Sequence, residues 1–464
     1  MAHLAVACLA AMPVLAGALP AQQSAPDPGL TIGQAVEAAL KNYPSIRVSQ
    51  ERMNAAAAGI QLARTAYLPR IDLLAQANRA TRNNVFGLLL PQPQATIPSM
   101  SGPVIGSNNL GTAWGSAVGT LVTWEPFDFG LRKAGVAAAA AARTQREASL
   151  QRTRFEVAVA AADGYITLVA AQETVRAAQA GVDRAEALAR TTDALVGAQL
   201  RPGADASRAQ AELAAARTQL IQAREAVEVA RAGLAQFLGL EPPQLAVSAP
   251  RLLELPPAPA AIPLDTAKNP RAVEQNAVVE EMRAQLAALE RSYFPRFYLQ
   301  GSAYARGTGA EVNGTNLGGM NGLAPATQDY ALGFTVTFPL MDRASVRARE
   351  AGQSAAIRAE TARYQQIAAD LKAAWNVAAA TLEGARNVAA NTPVQVAAAR
   401  AATDQATARY RSGLGNVDEV AEAQRLLAQA GIDDALARLG VWRALLGVAT
   451  AAGDLQPFLA EASQ

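Results

Sequence analysis

The phrase AYLPRIDL at residue 66 returns as SYFPRFYL at residue 292, and the echo extends well beyond those eight residues. Pro44, Tyr67, Pro69 and Arg70 recur at one fixed offset, 226 residues on, as Pro270, Tyr293, Pro295 and Arg296. Further along, VTWEPFD (122–128) recurs as VTFPLMD (336–342) and Ala209-Gln210 as Ala423-Gln424, both 214 apart. Fixed spacing over this length means one supersecondary plan used twice. The offset changes between residues 81–112 and their counterpart 307–329, which are rich in Gly, Asn and Pro and therefore read as loops. From Val122 to Gln210, and from Val336 to Gln424, nothing is inserted or lost, as expected of a rigid element.

Each copy reads helix, strand, loop, strand, long helix, turn, helix. The first runs over 44–241, with strands at about 69–80 and 113–125 and a helical hairpin at about 130–238. The second runs over 264–452, with strands at about 295–306 and 330–340 and a hairpin at about 343–448. Residues 22–43 form an N-terminal segment with a short helix, 242–263 a Pro-rich linker, and 453–464 a tail. PSIRVSQERMNAAAAGIQLARTAY must stop before Pro69, because a residue preceding proline is pushed out of helical geometry. In YALGFTVTF (330–338), Tyr330, Leu332, Phe334, Val336 and Phe338 alternate with small or polar residues, the period of a strand with one apolar face. Trp114, Val118, Val122 and Trp124 share a face in the other copy. Trp114 to Trp124 covers about 25 Å when tilted, the height of an outer-membrane apolar band with aromatics at both rims.

Between the strands and the turns, residues 131–200 and 344–411 carry almost no turn signal, so each reads as one helix of about 100 Å. Leu213, Leu220, Val227 and Leu234 repeat every seven residues, and Ala209, Ala216, Ala223 and Ala230 form a second seam. Ala423, Ala430, Ala437 and Ala444 hold the same places in the second copy. A sustained heptad implies left-handed supercoiling, and alanine seams allow close approach. Composition agrees: 51% of the residues are hydrophobic but only 5% aromatic, so the apolar content is mostly alanine.

The first 21 residues are almost uncharged and end in small residues, so they read as a secretory signal cleaved after Ala18 or Ala21. Cys8 and His3, the only Cys and His, would leave with it. A signal-core cysteine is the first reading of Cys8 and lipidation the second. Their departure removes Cys nucleophiles, His bases and Cys/His metal sites from the mature chain, so no metal or cofactor is expected. No Gly-rich phosphate loop or cleft-forming α/β pattern supports an enzyme. With 41 basic and 39 acidic residues finely mixed, the chain has no field for nucleic acid. No transmembrane helix is expected after the signal, and an exported chain of this kind is either soluble or enters an outer membrane as strands. The chain ends Ala462-Ser463-Gln464, without a terminal aromatic, consistent with strands lying mid-chain.

Two hairpins supply four strands, too few to close a barrel. Eight from a dimer would enclose only side chains, whereas twelve from three chains leave a lumen. The fold class expected is therefore mainly α with membrane β, internally duplicated. Four strands per chain contribute to a trimeric twelve-stranded outer-membrane β-barrel, and the long hairpins form a periplasmic α-barrel. A periplasmic coiled-coil adaptor or a soluble scaffold is the alternative. An adaptor, however, has one hairpin flanked by small β domains, and a scaffold does not explain the strand pairs.

LTIGQAVEAALKNYPSI (30–46), the doubled YLPR/YFPR, WEPFDFG (124–130) and ARYRSGLGNVDEVAEAQRLL (408–427) resemble the TolC-type outer-membrane efflux protein family, in order and across essentially the whole mature chain. The resemblance implies a passive homotrimeric duct that docks a periplasmic adaptor protein, serves an inner-membrane pump indirectly, and exports drugs, metals or proteins. It further implies a carboxylate gate at the periplasmic tip. Glu419 and Glu422 fall at the gate positions, with Asp205 and Arg208 as their first-copy equivalents and Glu422 near Arg208 in a closed tip. Salt links to Arg208, Arg201 or Arg411 would favour closure. Acids in the first turns of a helix also stabilise it through the helix dipole. Arg201, Gly203, Gly413, Leu414 and Gly415 make the tip turn and its adaptor-contact surface. Tyr67, Trp114, Trp124, Tyr293 and Phe338 are expected to anchor the chain at the lipid interfaces, with Arg70 and Arg296 reaching headgroups. Asp128 and Asp342 are read as helix N-caps.

Overall fold

A computed structural model describes residues 29–81, 111–242, 245–257, 264–311, 315 and 317–463. The signal reading at 1–21, with His3 and Cys8, lies outside the described residues, as do most of the 81–112 loop and parts of the linker. The elements run α1 (Ile32–Asn42), α2 (Pro44–Thr65), β1 (Arg70–Thr81), β2 (Thr112–Phe127), α3 (Leu131–Gly197), α4 (Gly203–Leu238), α5 (Pro270–Arg291), β3 (Arg296–Thr308), β4 (Thr327–Thr337), α6 (Arg343–Arg411), α7 (Val417–Ala452) and α8 (Gln456–Ala462).

The duplication is plain in the lengths. α2 and α5 have 22 residues each, and α4 and α7 have 36 each. The two long helices have 67 and 69 residues, about 100 Å at 1.5 Å per residue. Proline opens α2 and α5 at the first helical position, where its missing N–H is no loss. α6 carries Pro393 in its interior yet continues through it. On either side of it side chains link α6 to α7, with Thr392 donating to Asp434 (2.8 Å) and Gln395 to Asp433 (3.4 Å).

Each long helix pairs with the shorter one after it, and α3 packs against α7, so the lower helices form a row in the order α4, α3, α7, α6. The heptad residues are the buried ones: Leu213, Leu220, Val227 and Leu234 on α4, and Leu382, Ala389, Thr403 and Tyr410 on α6. α3 and α7 each contain a stretch apolar enough by composition to cross a membrane, but about half of each stretch is buried against other helices. Their apolarity is that of packing alanines.

β1 to β4 form one antiparallel sheet in chain order. The register sorts its two faces. Ile71 opposes Val122, Val122 opposes Gly301, and Gly301 opposes Leu332, so Ile71, Leu73, Val118, Val122, Trp124, Leu299, Leu332 and Phe334 share one face. That face is apolar and open, with Leu332 78% and Leu73 77% exposed. The other face carries Asp72, Gln76, Asn78, Gln300, Tyr304, Arg306 and Asp329, with Arg306 paired to Asp329 at 3.0 Å. β1 and β4 are its two edges, each without a neighbouring strand on its outer side among the described residues.

The linker is a packed strap. Val247 bridges Leu30 in parallel, and the buried Tyr165 hydroxyl of α3 lies within hydrogen-bond distance of both Leu30 O (2.9 Å) and Ser248 O (2.8 Å). Trp442 of α7, wholly buried, donates to Glu254 O at 2.9 Å, and Arg386 of α6 donates to Pro257 O at 2.7 Å. Arg251 lies over the Trp442 ring and pairs with Glu461 of α8. The strap therefore crosses α3, α7 and α6 through side chains that reach its carbonyls, and Leu245 and Leu252 enter the main core. The C-terminal tail closes this region as a short helix, burying Phe458 and Ala462.

Candidate functional site

At the boundary between helix and strand, Phe129 and Gly130 have positive φ, and the chain turns sharply there into α3. Asp128 sits two residues before the N-cap position, which belongs to Gly130, yet its carboxylate serves the helix end. It accepts from Gly130 N (3.1 Å), from Arg132 N (2.6 Å) and from Arg132 Nε (2.8 Å). Burial works to raise its pKa, but the Arg132 and Gly130 hydrogen bonds and the Arg132 charge outweigh it, so the carboxyl is held below its ordinary value. Asp342 does occupy the N-cap position of α6 but makes no capping bond, because its backbone is already helical.

Arg132 extends this node, stacking 4.8 Å over Tyr67 and donating to Ala66 O at 3.3 Å, while Trp124 Nε1 donates to Tyr67 O at 3.1 Å. Tyr293 meets Phe338 edge-on at 5.6 Å and lies beneath Arg343. Tyr67, Trp124, Tyr293 and Phe338 thus gather at one end of the sheet. Trp114 stands at the other end, 5.6 Å beneath Arg79. Arg70 and Arg296 open their strands on the polar face, and Arg70 pairs with Asp72 at 2.9 Å. Four further aromatics complete the helix-side rim. Phe129 lies 4.7 Å from Phe127, 5.4 Å from Phe294 and 6.0 Å from Phe297. Their signal was in the motifs themselves, in PFDF and FPRF, where every second or third residue is aromatic.

At the far end of the hairpins the two turns meet. Arg201 donates through Nη2 to Tyr410 O (2.8 Å) and Gly415 O (3.1 Å), and its guanidinium lies 4.6 Å over the Tyr410 ring. Tyr410 is buried, its hydroxyl 3.4 Å from that of Thr192 on α3. The expected Arg208–Glu422 contact does not form. Arg208 pairs with Asp418, a helical turn nearer the tip, and Glu422 is held by Arg425 at 2.8 Å. Equivalent residues of the two copies do not face each other here: against the repeat spacing of 214, Arg208–Asp418 is displaced by four residues and Glu212–Arg425 by one. Arg425 also reaches Glu212 of α4 at 3.6 Å. Glu419 pairs with Arg409 at 3.5 Å, in the first turn of α7, which Asn416 caps through the Glu419 N–H. Asp205 lies in the first turn of α4. Arg201, expected to pair with a carboxylate, binds carbonyls instead.

Gly413 has φ +79, which glycine alone adopts without strain. A Cβ at Gly203 would meet nothing within 4 Å, whereas one at Gly415 would meet Glu419 Oε2 at 3.2 Å. Leu414 is 74% exposed and Leu200 69%, so the tip presents two apolar side chains to solvent. Asp418, Arg425 and Glu212 were not singled out from sequence. Asp418 adjoins Glu419 in the same motif, whereas nothing in the spacing of Glu212 and Arg425 marks them as partners. Among the described residues no cluster of His, Cys, Asp or Glu could hold a metal ion.

The family model "outer membrane efflux protein" matches residues 35–240 and 264–454. No curated protein sequence matches the chain. Among solved structures, the outer-membrane channel OprN is similar at 24% identity and TM-score 0.72, covering 91% of this chain and 89% of that one. The Campylobacter jejuni CmeC outer membrane channel is similar at 15% identity and TM-score 0.72, covering 91% and 85%. The open state of the Neisseria gonorrhoeae MtrE outer membrane channel is similar at 18% identity and TM-score 0.71, covering 91% and 89%.

Proposed function

The chain belongs to the outer membrane efflux protein family, and from that premise we infer that three copies form a passive exit duct, gated at its periplasmic tip and opened by a docked adaptor. It is an efflux channel of the outer membrane with a periplasmic extension, and not an enzyme. The observation that carries the trimer is the sheet: four strands with one apolar and one polar face and, among the described residues, both edges open. β1 and β4 run antiparallel across the sheet, so β4 of one copy can continue into β1 of the next. Three copies give twelve strands, an apolar band outside and a polar lumen. The inner-membrane pump is then reached through the adaptor.

The gate reading is supported by the contacts between hairpins. Arg208–Asp418 and Arg425–Glu212 join α4 to α7, and Arg201 joins the first turn to α6. Movement of the second hairpin away from the first would break them. Glu419 and Glu422 add carboxylates that, repeated three times around a narrow opening, repel each other and draw cations. Leu200, Leu414 and the glycine turns are the surface an adaptor would meet. Mass measurement in detergent tests the assembly: a trimer is expected, and a stable monomer or dimer would refute it. For the gate, Glu419→Gln with Glu422→Gln should raise single-channel conductance in planar bilayers, and unchanged conductance would refute it.

A further inference from the structure

Between α6 and α7 runs a groove of about 660 Å³, with Val388, Asn391, Gln395, Asp433 and Leu436 among its lining residues. Nine residues make two and a half turns of helix, and Gln395 lies nine from Arg386, as Asp433 lies nine from Trp442. Arg386 and Trp442 reach the strap, so Gln395 and Asp433 stand on the opposite face of the helix row. Twelve helices about 9 Å apart make a ring about 35 Å across, which three straps with α1 and α8 would fill. In a trimer the strap therefore lies outside, and the groove opens into the tunnel.

Asp433 differs from the carboxylates around it. Asp434 beside it pairs with Arg438, Glu422 three turns before it pairs with Arg425, and Asp163 on α3 pairs with Arg443. Asp433 accepts from amides, Gln429 Nε2 at 2.8 Å and Gln395 Nε2 at 3.4 Å, and no cation pairs with it among the described residues. In the same groove Val388 and Leu436 are 56% and 39% exposed. One carboxylate among neutral amides supplies too few ligands for a hard metal ion, which takes about six oxygens. An uncompensated negative charge beside apolar side chains, in a groove of this volume, suits a small molecule with an apolar body and a positive charge.

Resting on the duct reading above, we propose that this groove binds an amphiphilic organic cation, with its charge on Asp433 and its apolar body on Val388 and Leu436. Asp433 lies eleven residues past Glu422, about 16 Å towards the membrane. Cargo that has passed the tip therefore meets three such grooves, one per copy, which favour positive over negative molecules of the same size.

Tetraphenylphosphonium is the probe, and tetraphenylborate is its anionic match in size. Equilibrium dialysis against the full-length protein in lipid nanodiscs, corrected for empty nanodiscs, should show one saturable tetraphenylphosphonium site per chain and none for tetraphenylborate. Asp433→Asn keeps the shape but removes the charge, and should weaken binding about tenfold. Leu436→Gln, which removes apolar surface instead, should weaken it as well. Asp404→Asn makes the same charge change on the strap side of α6, five turns from Arg386, and should stay within about twofold of wild type. No saturable site, or wild-type binding by Asp433→Asn, overturns the proposal. Equal binding of tetraphenylborate, or an equal loss in Asp404→Asn, overturns it too. A mass other than a trimer refutes the duct instead, while one Asp433-dependent site per chain still supports the groove.

Discussion

Arg201→Ala is the sharpest perturbation of the tip, because this one side chain ties the first turn to the second hairpin. Its guanidinium makes two hydrogen bonds to carbonyls, at 2.8 and 3.1 Å, and stacks 4.6 Å over Tyr410. Hydrogen bonds from a charged donor and a cation–π contact, discounted for partial exposure, sum to about 2 kcal/mol per chain. If each hairpin moves alone, the open-to-closed ratio rises about 30-fold. If three tips open in concert, the terms add to about 6 kcal/mol, or about 10⁴-fold. Single-channel recording on the purified trimer reads both, as higher open probability and as the number of conductance steps. Arg201→Lys keeps the charge but loses the planar fork, so it should fall between the two. An open probability for Arg201→Ala within about threefold of wild type, with the trimer intact, would refute the assignment of Arg201 as a closing contact.

On the sheet, Leu332→Arg should lower membrane insertion by about 2–4 kcal/mol while Gln300→Arg, on the polar face, is tolerated; heat-modifiable mobility on gels after refolding into lipid separates them. Tyr165→Phe removes the hydroxyl that meets Leu30 and Ser248, costs about 1–2 kcal/mol in chemical denaturation, and should speed hydrogen exchange at 29–31 and 246–249. Burial pushes the Tyr165 phenol well above its ordinary value, against the opposing Ser248 hydrogen bond. The unfolded chain therefore ionises first: this contribution to stability is intact below about pH 10 and falls as pH rises beyond it, and Tyr165→Phe should lose that alkaline dependence.

What could be read from the sequence follows from what is periodic. The strands announced themselves through the alternation of Tyr330, Leu332, Phe334 and Val336, and the helices through heptads, because a single face decides both. The strap did not. Its proline content reads as a spacer, and its anchors, Tyr165, Arg386 and Trp442, lie far away in sequence and bind it through backbone carbonyls that have no side-chain signature. The tip was legible as a place and not as a set of pairs. Arg208 and Glu422 are equivalent by repeat, but equivalence says where each lies in its own copy and not which residues of the two copies touch, and Arg208 meets Asp418, one helical turn away. Asp342 looked like Asp128 because both precede a long helix, yet only Asp128 has backbone N–H groups turned towards it by the positive φ at Phe129 and Gly130.

The duplication also explains how a wall about 100 Å long is built beside helices half that length. α4 and α7 end at Gly239 and Gly453, both left-handed, and α2 and α5 take over beyond them from Pro44 and Pro270. Asn42 Nδ2 donates to Leu238 O at 2.7 Å at the first joint, and Asn269 Nδ2 to Ala451 O at 3.1 Å at the second. The joints share a plan but not a tightness. At Gly453, φ is +84 and a Cβ would come within 2.8 Å of Asn269 Cα and 2.9 Å of Pro270 Cδ, where backbone and a ring must both move. At Gly239, φ is +66 and the nearest atom, Asn42 Cβ, stands at 3.3 Å. Either glycine-to-alanine change costs about 1–2 kcal/mol for the left-handed conformation. Gly453→Ala adds about 1–3 kcal/mol for overpacking, and Gly239→Ala little more. Thermal denaturation should therefore rank Gly453→Ala well below Gly239→Ala, with Gly239→Ala closer to wild type. Equal losses, or the reverse order, would mean that the second joint yields freely, and that end-to-end stacking of α7 on α5 does not carry the wall.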